Sequence, residues 1–541
     1  MSRLLMPNRF CAKCTLLTGA GARGKQQSDT RGIFIQQQRH YVRGSNTVFS
    51  KQWSKSSIWL CGFGVGIALA VGLKYRVDTA NSSCADKVIV SPRADRYNAA
   101  IKVSRDLVER IQVGIEAEVG APGIVVGVSV DGAQIWCEGF GYADLENRVP
   151  CRPETIMRIA SISKPLTSAA AARLCEEGKL DLDVPVQKYV PEFPQKQFDG
   201  QDVTITPRMI LSHLSGIRHY EKDGKKVRED KEKAKRRLKP PGGKEKNDEK
   251  SSSENKEKPA KEENTKGKEP TQAQKKKEFE HEEYYLKDNY ESVNQALDLF
   301  KDDPLIFKPG TTFLYSTHAF TLLSAVMEQA AGQHFLDLMM KMFREVGMLN
   351  TVPDENEPII YHRSRFYHFN KRGRVLNCPY VDNSYKWAGG GFLSTVGDLL
   401  LFGNTLLYSY QVAHLKDTKN LLPGFLKPKT ALDLWAAVDR TEASWDKDGL
   451  YAQGWLVVEE LQKYGQCRKR RHYVSHTGGA VGASSVLLVL PSEEIDQCQG
   501  QTPLLPQGVV VTILTNMQSV GLNSTALKIA HTFDKARSLS E

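Results

Sequence analysis

The sequence predicts an α+β fold with an antiparallel sheet. Two apolar runs rich in β-branched residues, 124–130 and 133–139, are joined by Asp131-Gly132, a dipeptide typical of tight hairpin turns. A helical pattern lies on each side of this hairpin, one over residues 93–120 and the other from Ser161 onward. Helices that flank a hairpin, rather than alternating with single strands, favour an antiparallel sheet over a parallel one.

The N-terminal arm carries the whole charge excess of the chain. Residues 1–76 contain 12 Lys and Arg and a single acid, Asp29, out of 74 basic and 63 acidic side chains, which leaves the remaining chain neutral. A neutral body does not attract a polyanion through bulk electrostatics, so no nucleic-acid partner is expected. Residues 1–57 are rich in Arg, Ser and Gln, which predicts a mitochondrial targeting arm.

An uninterrupted apolar segment, residues 58–73, follows this arm and has lysines on both sides. Its 16 residues fall just short of the roughly 17 to 25 that a spanning helix needs. The segment is therefore either a sorting signal that is removed or an anchor that holds the protein at the mitochondrial inner-membrane surface. A hydrophobic signal after a basic one favours sorting to the intermembrane space.

A catalytic domain is predicted over residues 93–537, and its most informative motif is Ser161-Ile-Ser-Lys164. A helix that begins at Ser161 places side chains three residues apart on one face, so the Ser161 hydroxyl and the Lys164 amine come within reach of each other. Pro165 is tolerated in the first turn, and Gly178 suits the end of the helix. The motif therefore supplies a nucleophile with an adjacent proton acceptor.

A charged segment, residues 221–287, interrupts this domain. Of its 67 residues 39 are charged, 22 basic and 17 acidic, and large apolar residues are nearly absent before Tyr284. Such a segment cannot bury enough surface to order itself, so it is predicted to be a disordered, solvated insertion within one domain. Its small positive excess leaves contact with anionic lipid or an acidic partner as the alternative.

Further elements are predicted after the insertion. A Gly-rich turn leads into a helix that is capped by Ser394 or Thr395, with Asp398 in its first turn. The other predicted elements are a helix over residues 320–332, strands over 484–490 and 508–515, and a last helix over 524–537.

Two further motifs follow Ser161-x-x-Lys164 in order, Tyr315-Ser-Thr317 and His476-Thr-Gly-Gly479. Together with residues 211–216 and 389–391, these motifs resemble the serine β-lactamase and penicillin-binding protein family, especially its branch of esterases and D-amino-acid peptidases related to class C enzymes. The resemblance implies a β-lactamase/transpeptidase-like fold, in which an antiparallel sheet flanked by helices joins a mostly helical subdomain. It implies neither a cofactor nor a metal.

The resemblance also implies roles for individual residues. Ser161 is the expected nucleophile, and either Lys164 or Tyr315 is the general base, a choice that the sequence leaves open. The backbone N–H of Gly479 is expected to act with that of Ser161 as the second oxyanion donor. The residues expected to bind the oxyanion or the substrate are Gly479, His476, Thr477 and Thr317.

Two of these residues depart from the family pattern. Thr317 stands where the family has Asn, so a hydroxyl replaces the amide that would contact a β-lactam side chain. His476 stands where much of the family has Lys, and a neutral imidazole gives no fixed positive charge for a substrate carboxylate. Efficient antibiotic hydrolysis is therefore not expected. His213, His219 and His318 are predicted to be structural or exposed, and the sequence has no H-E-x-x-H or similar metal-ligand spacing.

The sequence therefore predicts a mitochondrial serine hydrolase that forms an acyl-enzyme on Ser161 and cleaves a peptide substrate. Animal mitochondrial members of the family polymerise, so the resemblance also implies a homo-oligomer or filament. The alternative is a scaffold that organises the intermembrane space and has weak or vestigial hydrolase activity.

Overall fold

The computed structural model describes residues 94–113, 120–238, 282–443, 446, 449–463, 468–495 and 505–538. The predicted targeting arm, residues 1–57, and the apolar segment, residues 58–73, lie outside these ranges. Within them, none of the helices combines the length and the apolar character that a membrane crossing requires.

The sheet is surrounded by helices, numbered here along the described part of the chain. They are α1 (Asn98–Val113), α2 (Ser163–Glu176), α3 (Pro207–Leu211), α4 (Gly224–Leu238), α5 (Val293–Leu297), α6 (Thr317–Ala331), α7 (Phe335–Val346), α8 (Trp387–Gly390), α9 (Val396–Val412), α10 (Pro428–Leu434) and α11 (Asn523–Ser538).

The strands are numbered in the same way. They are β1 (Gly123–Val130), β2 (Ala133–Asp144), β3 (Val149–Pro150), β4 (Met157–Arg158), β5 (Lys196–Phe198), β6 (Gln201–Val203), β7 (Val352–Pro353), β8 (Tyr367–Phe369), β9 (Val375–Asn377), β10 (Phe392–Ser394), β11 (Leu450–Tyr451), β12 (Leu456–Val458), β13 (Leu461–Lys463), β14 (Arg468–Arg470), β15 (Tyr473–Ala480), β16 (Ala483–Pro491) and β17 (Gly508–Thr515).

The main sheet has eight strands in the order β11-β12-β15-β16-β17-β1-β2-β3, and all neighbouring strands in it run antiparallel. The predicted α+β class with an antiparallel sheet is therefore confirmed. The predicted hairpin is the β1–β2 pair, whose turn residues Asp131 and Gly132 have φ values of 48° and 75°. Two successive positive φ values match the twist of the strands, which is why Asp-Gly suits this turn.

The central strands are buried on both faces, because helices cover each side of the sheet. Val125 on one face packs into a core that includes Phe402 of α9. Ile124, its neighbour on the other face, packs into a core that includes Val108 of α1 and Phe533 of α11. Such two-sided burial explains why β1 is a continuous apolar run instead of an alternating one.

A mostly helical region packs beside the sheet, as expected from the family resemblance. The helices α2 and α6 lie at its centre, and Leu166 of α2 and Phe320 of α6 are fully buried in the same apolar core. The four successive alanines at 169–172 of α2 are all buried, so this helix is covered on most of its circumference. Its small side chains allow close approach by its neighbours.

The predicted start of the second helix is wrong by two residues. Ala160–Ile162 form a 3₁₀ turn, and the α-helix begins at Ser163. The chain turns sharply here because Ala160 has a φ of 48°, a left-handed conformation that is uncommon for a residue with a Cβ. Ser161 therefore lies in the tight turn that leads into α2 rather than in its first regular turn.

The prediction of disorder is wrong at both ends of the charged insertion. Residues 224–238 form α4, which is preceded by Asp223, whose Oδ1 accepts a hydrogen bond from the Lys225 N–H at 2.9 Å. At the other end, Glu283 is buried because it pairs with Arg218 at 2.7 Å. Composition alone does not reveal these contacts. Residues 239–281 lie outside the described ranges.

Candidate active site

Ser161 lies where the turn before α2 meets strand β15. The approach is close because Gly478 of β15 has no side chain. A Cβ at that position would lie 2.4 Å from the carbonyl oxygen of Ile159 and 3.0 Å from the Cβ of Ala160. A glycine is therefore required for β15 to pack against the turn that carries Ser161.

The structure brings Ser161 and Lys164 together. Nζ of Lys164 lies 3.1 Å from Oγ of Ser161 and donates a hydrogen bond to the carbonyl oxygen of Gly389 at 2.6 Å. Oγ1 of Thr317 lies 3.5 Å from the same amine. The three-residue spacing in the sequence thus places the amine beside the hydroxyl, and the Gly389 carbonyl fixes its direction.

Lys164 is fully buried, which changes its protonation. Burial, followed by the positive charge of Lys386, lowers the pKa of Lys164 well below its usual value. A neutral amine keeps a lone pair that accepts a proton. The environment of Lys164 therefore suits a group that removes the proton from a neighbouring hydroxyl.

Tyr315 is in contact with the same serine, but its environment differs. Burial raises the pKa of Tyr315, although its hydrogen bond to Ser161 acts in the opposite direction. Its ring centroid lies 4.6 Å from Nζ of Lys164. A phenol with a raised pKa keeps its proton at neutral pH, so Tyr315 is suited to donate a proton rather than to remove one.

His476 is neutral in this environment. Burial and then the charge of Lys164 lower the pKa of His476 to about 3. Its Nδ1 lies 2.7 Å from the carbonyl oxygen of Thr477, which can only accept, so the ring proton is on Nδ1. Nε2 then accepts a hydrogen bond from the Tyr451 hydroxyl at 2.8 Å. Both ring nitrogens are thus engaged, and His476 supplies no positive charge.

These residues line a cavity of about 230 Å³, here called the Ser161 cleft. At the C-terminal end of β15, Thr477 is half-buried and Gly479 is exposed. No atom lies within 4 Å of the position that a Cβ on Gly479 would occupy. The lining residues of the cleft are Ala160, Ser161, His219, Tyr220, Tyr284, Tyr315, Thr317, Lys386, Gly389, Gly390, His476, Thr477, Gly479 and Ala480. All the predicted site residues except Lys164, which lies beneath the cleft, are in this set.

A larger cavity of about 1210 Å³ adjoins the Ser161 cleft. The two share part of their lining, including Tyr284 and residues 477, 479 and 480 of β15. Tyr473 and Asp446 form a hydrogen bond in its wall. The space next to Ser161 therefore adjoins a volume that is large enough for an extended molecule.

The three histidines predicted to be structural or exposed have different environments. His213 is buried and its Nδ1 accepts the Ser316 N–H at 3.2 Å, and His318 is buried beside Glu283 at 2.9 Å. His219 instead lines the cleft, where its Nδ1 accepts the Thr317 N–H at 3.2 Å. In the described part of the chain, no three His, Cys, Asp or Glu side chains are placed to hold a metal ion.

Lys386, Tyr220 and Tyr284 are cleft residues that the sequence did not reveal. Tyr220 and Tyr284 lie at the two ends of the charged insertion, and the pairing of Glu283 with Arg218 brings them to the cleft. Lys386 stands in an otherwise uncharged stretch directly before the Gly389–Gly391 segment. An isolated charge beside a family motif is the sequence feature that could have pointed to Lys386.

Comparison with known proteins shows which family has this architecture. A family model described as Beta-lactamase matches residues 108–531. The human serine beta-lactamase-like protein LACTB, mitochondrial, is 58% identical over 453 residues, which cover 82% of this chain and 81% of the human one. The mouse protein of the same name is 57% identical over 460 residues, with 82% of both chains covered.

A solved structure of a class C beta-lactamase has the same fold. It superposes with a TM-score of 0.53 at 14% sequence identity, and the match covers 84% of this chain and 99% of that one. The β-lactamase/transpeptidase-like fold expected from the motifs is therefore confirmed.

Proposed function

The chain belongs to the β-lactamase family, and on that basis we propose that it is a serine hydrolase that forms an acyl-enzyme on Ser161. The observation that carries the proposal is the 3.1 Å contact between Oγ of Ser161 and a fully buried Lys164 amine. Serine is a weak nucleophile at its ordinary pKa, and an adjacent base is what activates it.

In the proposed acylation step, Nζ of Lys164 takes the hydroxyl proton while Oγ of Ser161 attacks the substrate carbonyl carbon. The carbonyl oxygen becomes negative in the tetrahedral intermediate, where the N–H groups of Ser161 and Gly479 stabilise it. Each such donor contributes about 3 to 4 kcal/mol to transition-state stabilisation. The Tyr315 hydroxyl then gives its proton to the leaving group and recovers one from the Lys164 ammonium.

In deacylation a water molecule takes the place of the leaving group. Tyr315 accepts a proton from this water and passes its own proton to Lys164, while the water oxygen attacks the acyl carbon. The bond from that carbon to Oγ of Ser161 then breaks, and the Lys164 ammonium returns a proton to Oγ, which releases the acid and regenerates Ser161.

We propose a peptide as the substrate. The neutral His476 and the Thr317 hydroxyl do not reproduce the groups that hold a β-lactam, whereas the 1210 Å³ cavity beside the cleft suits an extended chain. Peptide-library profiling tests the proposal, since cleavage of no peptide, together with efficient turnover of a β-lactam, would contradict it.

We also propose a mitochondrial location and self-assembly. The relatives that are 57% and 58% identical carry "mitochondrial" in their names, and residues 1–57 have the matching composition. The intermembrane space is proposed from the order of basic arm and apolar segment, and homo-oligomers from the family resemblance. Sedimentation of the protein isolated from mitochondria tests both proposals. A species no heavier than a single chain, which is at most 60.5 kDa, opposes self-assembly. Absence of the protein from that organelle opposes the proposed location.

The hydrolase proposal is tested with a fluorophosphonate probe, which reacts covalently with activated serines. We expect the wild-type protein to be labelled and to hydrolyse peptides, and Ser161→Ala to lose both properties. Ser538→Ala, which removes an exposed hydroxyl at the end of α11, is the matched control and should retain both. Equal labelling of the wild type and Ser161→Ala would reject Ser161 as the nucleophile. If neither variant is active while the protein still assembles, the scaffold alternative is favoured.

A further inference from the structure

A separate cavity of about 360 Å³, here called the arginine pocket, is lined by Arg158, Arg363 and Arg365. It shares no lining residue with the Ser161 cleft or with the larger cavity beside that cleft. Among its described lining residues Asp354 supplies the carboxylate, so three guanidinium groups and one carboxylate give the pocket a charge of +2. A concave site with an excess of positive charge attracts anions.

The carboxylate of Asp354 is shared between two of these arginines. Its Oδ2 accepts hydrogen bonds from Nε of Arg158 and from Nδ2 of Asn383, both at 2.6 Å. Its Oδ1 lies 3.9 Å from Nη2 of Arg363. Arg158 is 7% exposed and Asp354 is 3% exposed. One negative charge thus faces two positive charges where little water reaches them, and a positive charge is left over.

The guanidinium group of Arg158 is held in a fixed orientation. Its Nη1 donates a hydrogen bond to the carbonyl oxygen of Val481 at 2.8 Å, and its Cζ lies 4.2 Å from the centroid of the Phe366 ring. A guanidinium group has five N–H donors in a rigid fork. The fork of Arg158 is therefore positioned before any ligand arrives, which reduces the entropy lost on binding.

The charge of Arg363 is less completely compensated. Its Nη2 donates to the carbonyl oxygen of Glu355, but its buried Nε has no hydrogen-bond partner among the described residues. Burial, opposed by the charge of Asp354, lowers the pKa of Arg363. A buried N–H group without an acceptor costs free energy, and a bound anion would supply an acceptor.

Arg365 is the exposed member of the three. Its Nε lies 3.0 Å from a carboxylate oxygen of Asp144, and its Nη1 lies 3.3 Å from one of Glu146. Neither acid lines the pocket. Because these acids offset the charge of Arg365, we expect Arg158 and Arg363 to contribute most of the attraction for an anion.

We propose that the arginine pocket binds a phosphate dianion. Guanidinium groups suit this ligand because each fork can donate two parallel hydrogen bonds to a pair of phosphate oxygens. A dianion also matches the charge of +2 on the lining residues, whereas a carboxylate carries one negative charge. The proposal is independent of the proposed function, since neither Ser161 nor Lys164 lines this pocket.

The phosphate group has two chemical sources. One is inorganic phosphate. The other is the phosphate end of a small soluble monoester, for which the pocket has room beside the anion and an exposed aromatic side chain, Tyr380, in its wall. Both sources present the same oxygens to the arginines, and the experiment below separates them.

The test is calorimetric titration of the full-length protein in about 0.15 M NaCl, which screens exposed charges. A pH of about 7.5 keeps a phosphate monoester, whose second pKa is about 6, in its dianionic form. The probes are inorganic phosphate, glycerol 3-phosphate, glycerol and acetate. We expect saturable binding of at least one phosphate with a Kd below about 1 mM and much weaker binding of glycerol and acetate. Similar affinities for both phosphates identify the ion as the ligand, and a preference of about 10-fold for the ester identifies the monoester.

Matched variants locate the site. Arg363→Gln should weaken phosphate binding by about 10- to 100-fold, because it removes charge-assisted hydrogen bonds. Arg344→Gln makes the same charge change at an exposed position in the last turn of α7 and should bind as the wild type does. Phosphate should also raise the thermal unfolding midpoint of the wild type and of Arg344→Gln, but not that of Arg363→Gln.

The wild-type titration stays decisive if Arg363→Gln does not fold. Absence of saturable phosphate binding, or binding of acetate with equal affinity, would overturn the inference. Equal phosphate affinity in the wild type and a folded Arg363→Gln would also overturn it. None of these results bears on acylation of Ser161, because none of the probes is an acyl donor for that residue.

Discussion

At the scale of single residues, the proposed reactivity of Ser161 requires that Lys164 be neutral. Free lysine titrates near 10.4, so an exposed lysine is charged at neutral pH and cannot accept a proton. Burial and the charge of Lys386 lower the pKa of Lys164, which makes the neutral form accessible. Burial raises the pKa of Tyr315, the other candidate base, so this phenol keeps its proton at neutral pH. The physical chemistry therefore favours Lys164 for proton removal and Tyr315 for proton donation.

This argument predicts the pH dependence of catalysis. Because Lys164 must be neutral, kcat/KM for a neutral peptide should rise with pH through the pKa of Lys164 and level off well below 10. Removing the positive charge of Lys386 raises that pKa, so in Lys386→Met the rising limb should move to higher pH. Lys164→Met should lower kcat by about 10²- to 10⁴-fold, as loss of a general base does.

The control for these variants is Lys341→Met, which changes an exposed lysine of α7 and should leave the pH profile unchanged. Peptide hydrolysis over a pH series provides the measurement. A Lys164→Met protein that is folded and fully active would remove the proposed base, and an unshifted limb in Lys386→Met would remove the electrostatic influence of Lys386.

At the scale of elements, the site depends on how closely β15 packs against the turn before α2. Gly478→Ala would place a Cβ 2.4 Å from a backbone oxygen, so one of the two elements must move. We expect this variant to lose about 1 to 3 kcal/mol of unfolding free energy, as overpacking does. It should also lose about 10²-fold in kcat/KM, because a displacement near 1 Å misplaces reacting groups by that factor.

Gly479→Ala is the matched control for the stability of Gly478→Ala, because no atom lies within 4 Å of its added Cβ. Denaturant unfolding compares the two variants. If Gly479→Ala is destabilised as much as Gly478→Ala, close packing at residue 478 is not the cause.

The ends of the charged insertion are held by a buried ion pair. Although burial opposes it, hydrogen bonds from His318 and Arg218 lower the pKa of Glu283, so its carboxylate stabilises the fold above its ordinary pKa near 4.5. This contribution is lost as the pH falls toward the lowered pKa. Glu283→Gln should cost about 3 to 5 kcal/mol of unfolding free energy at pH 7, because it leaves the buried Arg218 less compensated.

Glu291→Gln, which alters an exposed acid a few residues further on, is the control and should change stability by no more than about 0.5 kcal/mol. Urea unfolding at pH 7 gives both values. Equal stabilities of Glu283→Gln and the wild type would mean that the pair does not hold the insertion in place.

The elements that were predicted correctly from the sequence are those with local signals. The Asp131-Gly132 hairpin, the helix capped at Thr395 and the strand at 508–515 all rest on turn chemistry, capping or an apolar run within a few residues. The ends of the insertion were mispredicted because Glu283 meets Arg218 across 65 positions of the sequence. Composition within the insertion contains no information on such a contact.

For the candidate site, too, local sequence signals were informative and long-range contacts were not. The proximity of Ser161 and Lys164 was predictable because a three-residue spacing determines their separation, and motif order pointed to Tyr315 and His476 as further lining residues. The place of Lys386 in the cleft was not predictable, because only the tertiary structure establishes that this lysine is buried there.

At the scale of the whole molecule, the described residues place the candidate site between one end of strand β15 and a helical region. The strands β15, β16 and β17 are held in register by antiparallel pairing, and their apolar side chains are buried on both faces. Lys164, Tyr315 and Gly389 come from three separate segments of the helical side. Groups that are carried by paired strands and packed helices are held in position, which is what acyl transfer requires.

The central claim is that Ser161 is the residue that becomes acylated, and locating the acyl group tests it most directly. The full-length protein is mixed with p-nitrophenyl acetate, quenched in acid and digested with trypsin, and the peptide of residues 159–173 is sequenced by tandem mass spectrometry. This peptide contains Ser161, Ser163 and Ser168, so each hydroxyl serves as a control for the others. We predict an acetyl group on Ser161 alone, with its formation slowed in Lys164→Met. An acetyl group on Ser163 or Ser168 instead of Ser161, or undiminished ester turnover by Ser161→Ala, would contradict the proposed mechanism.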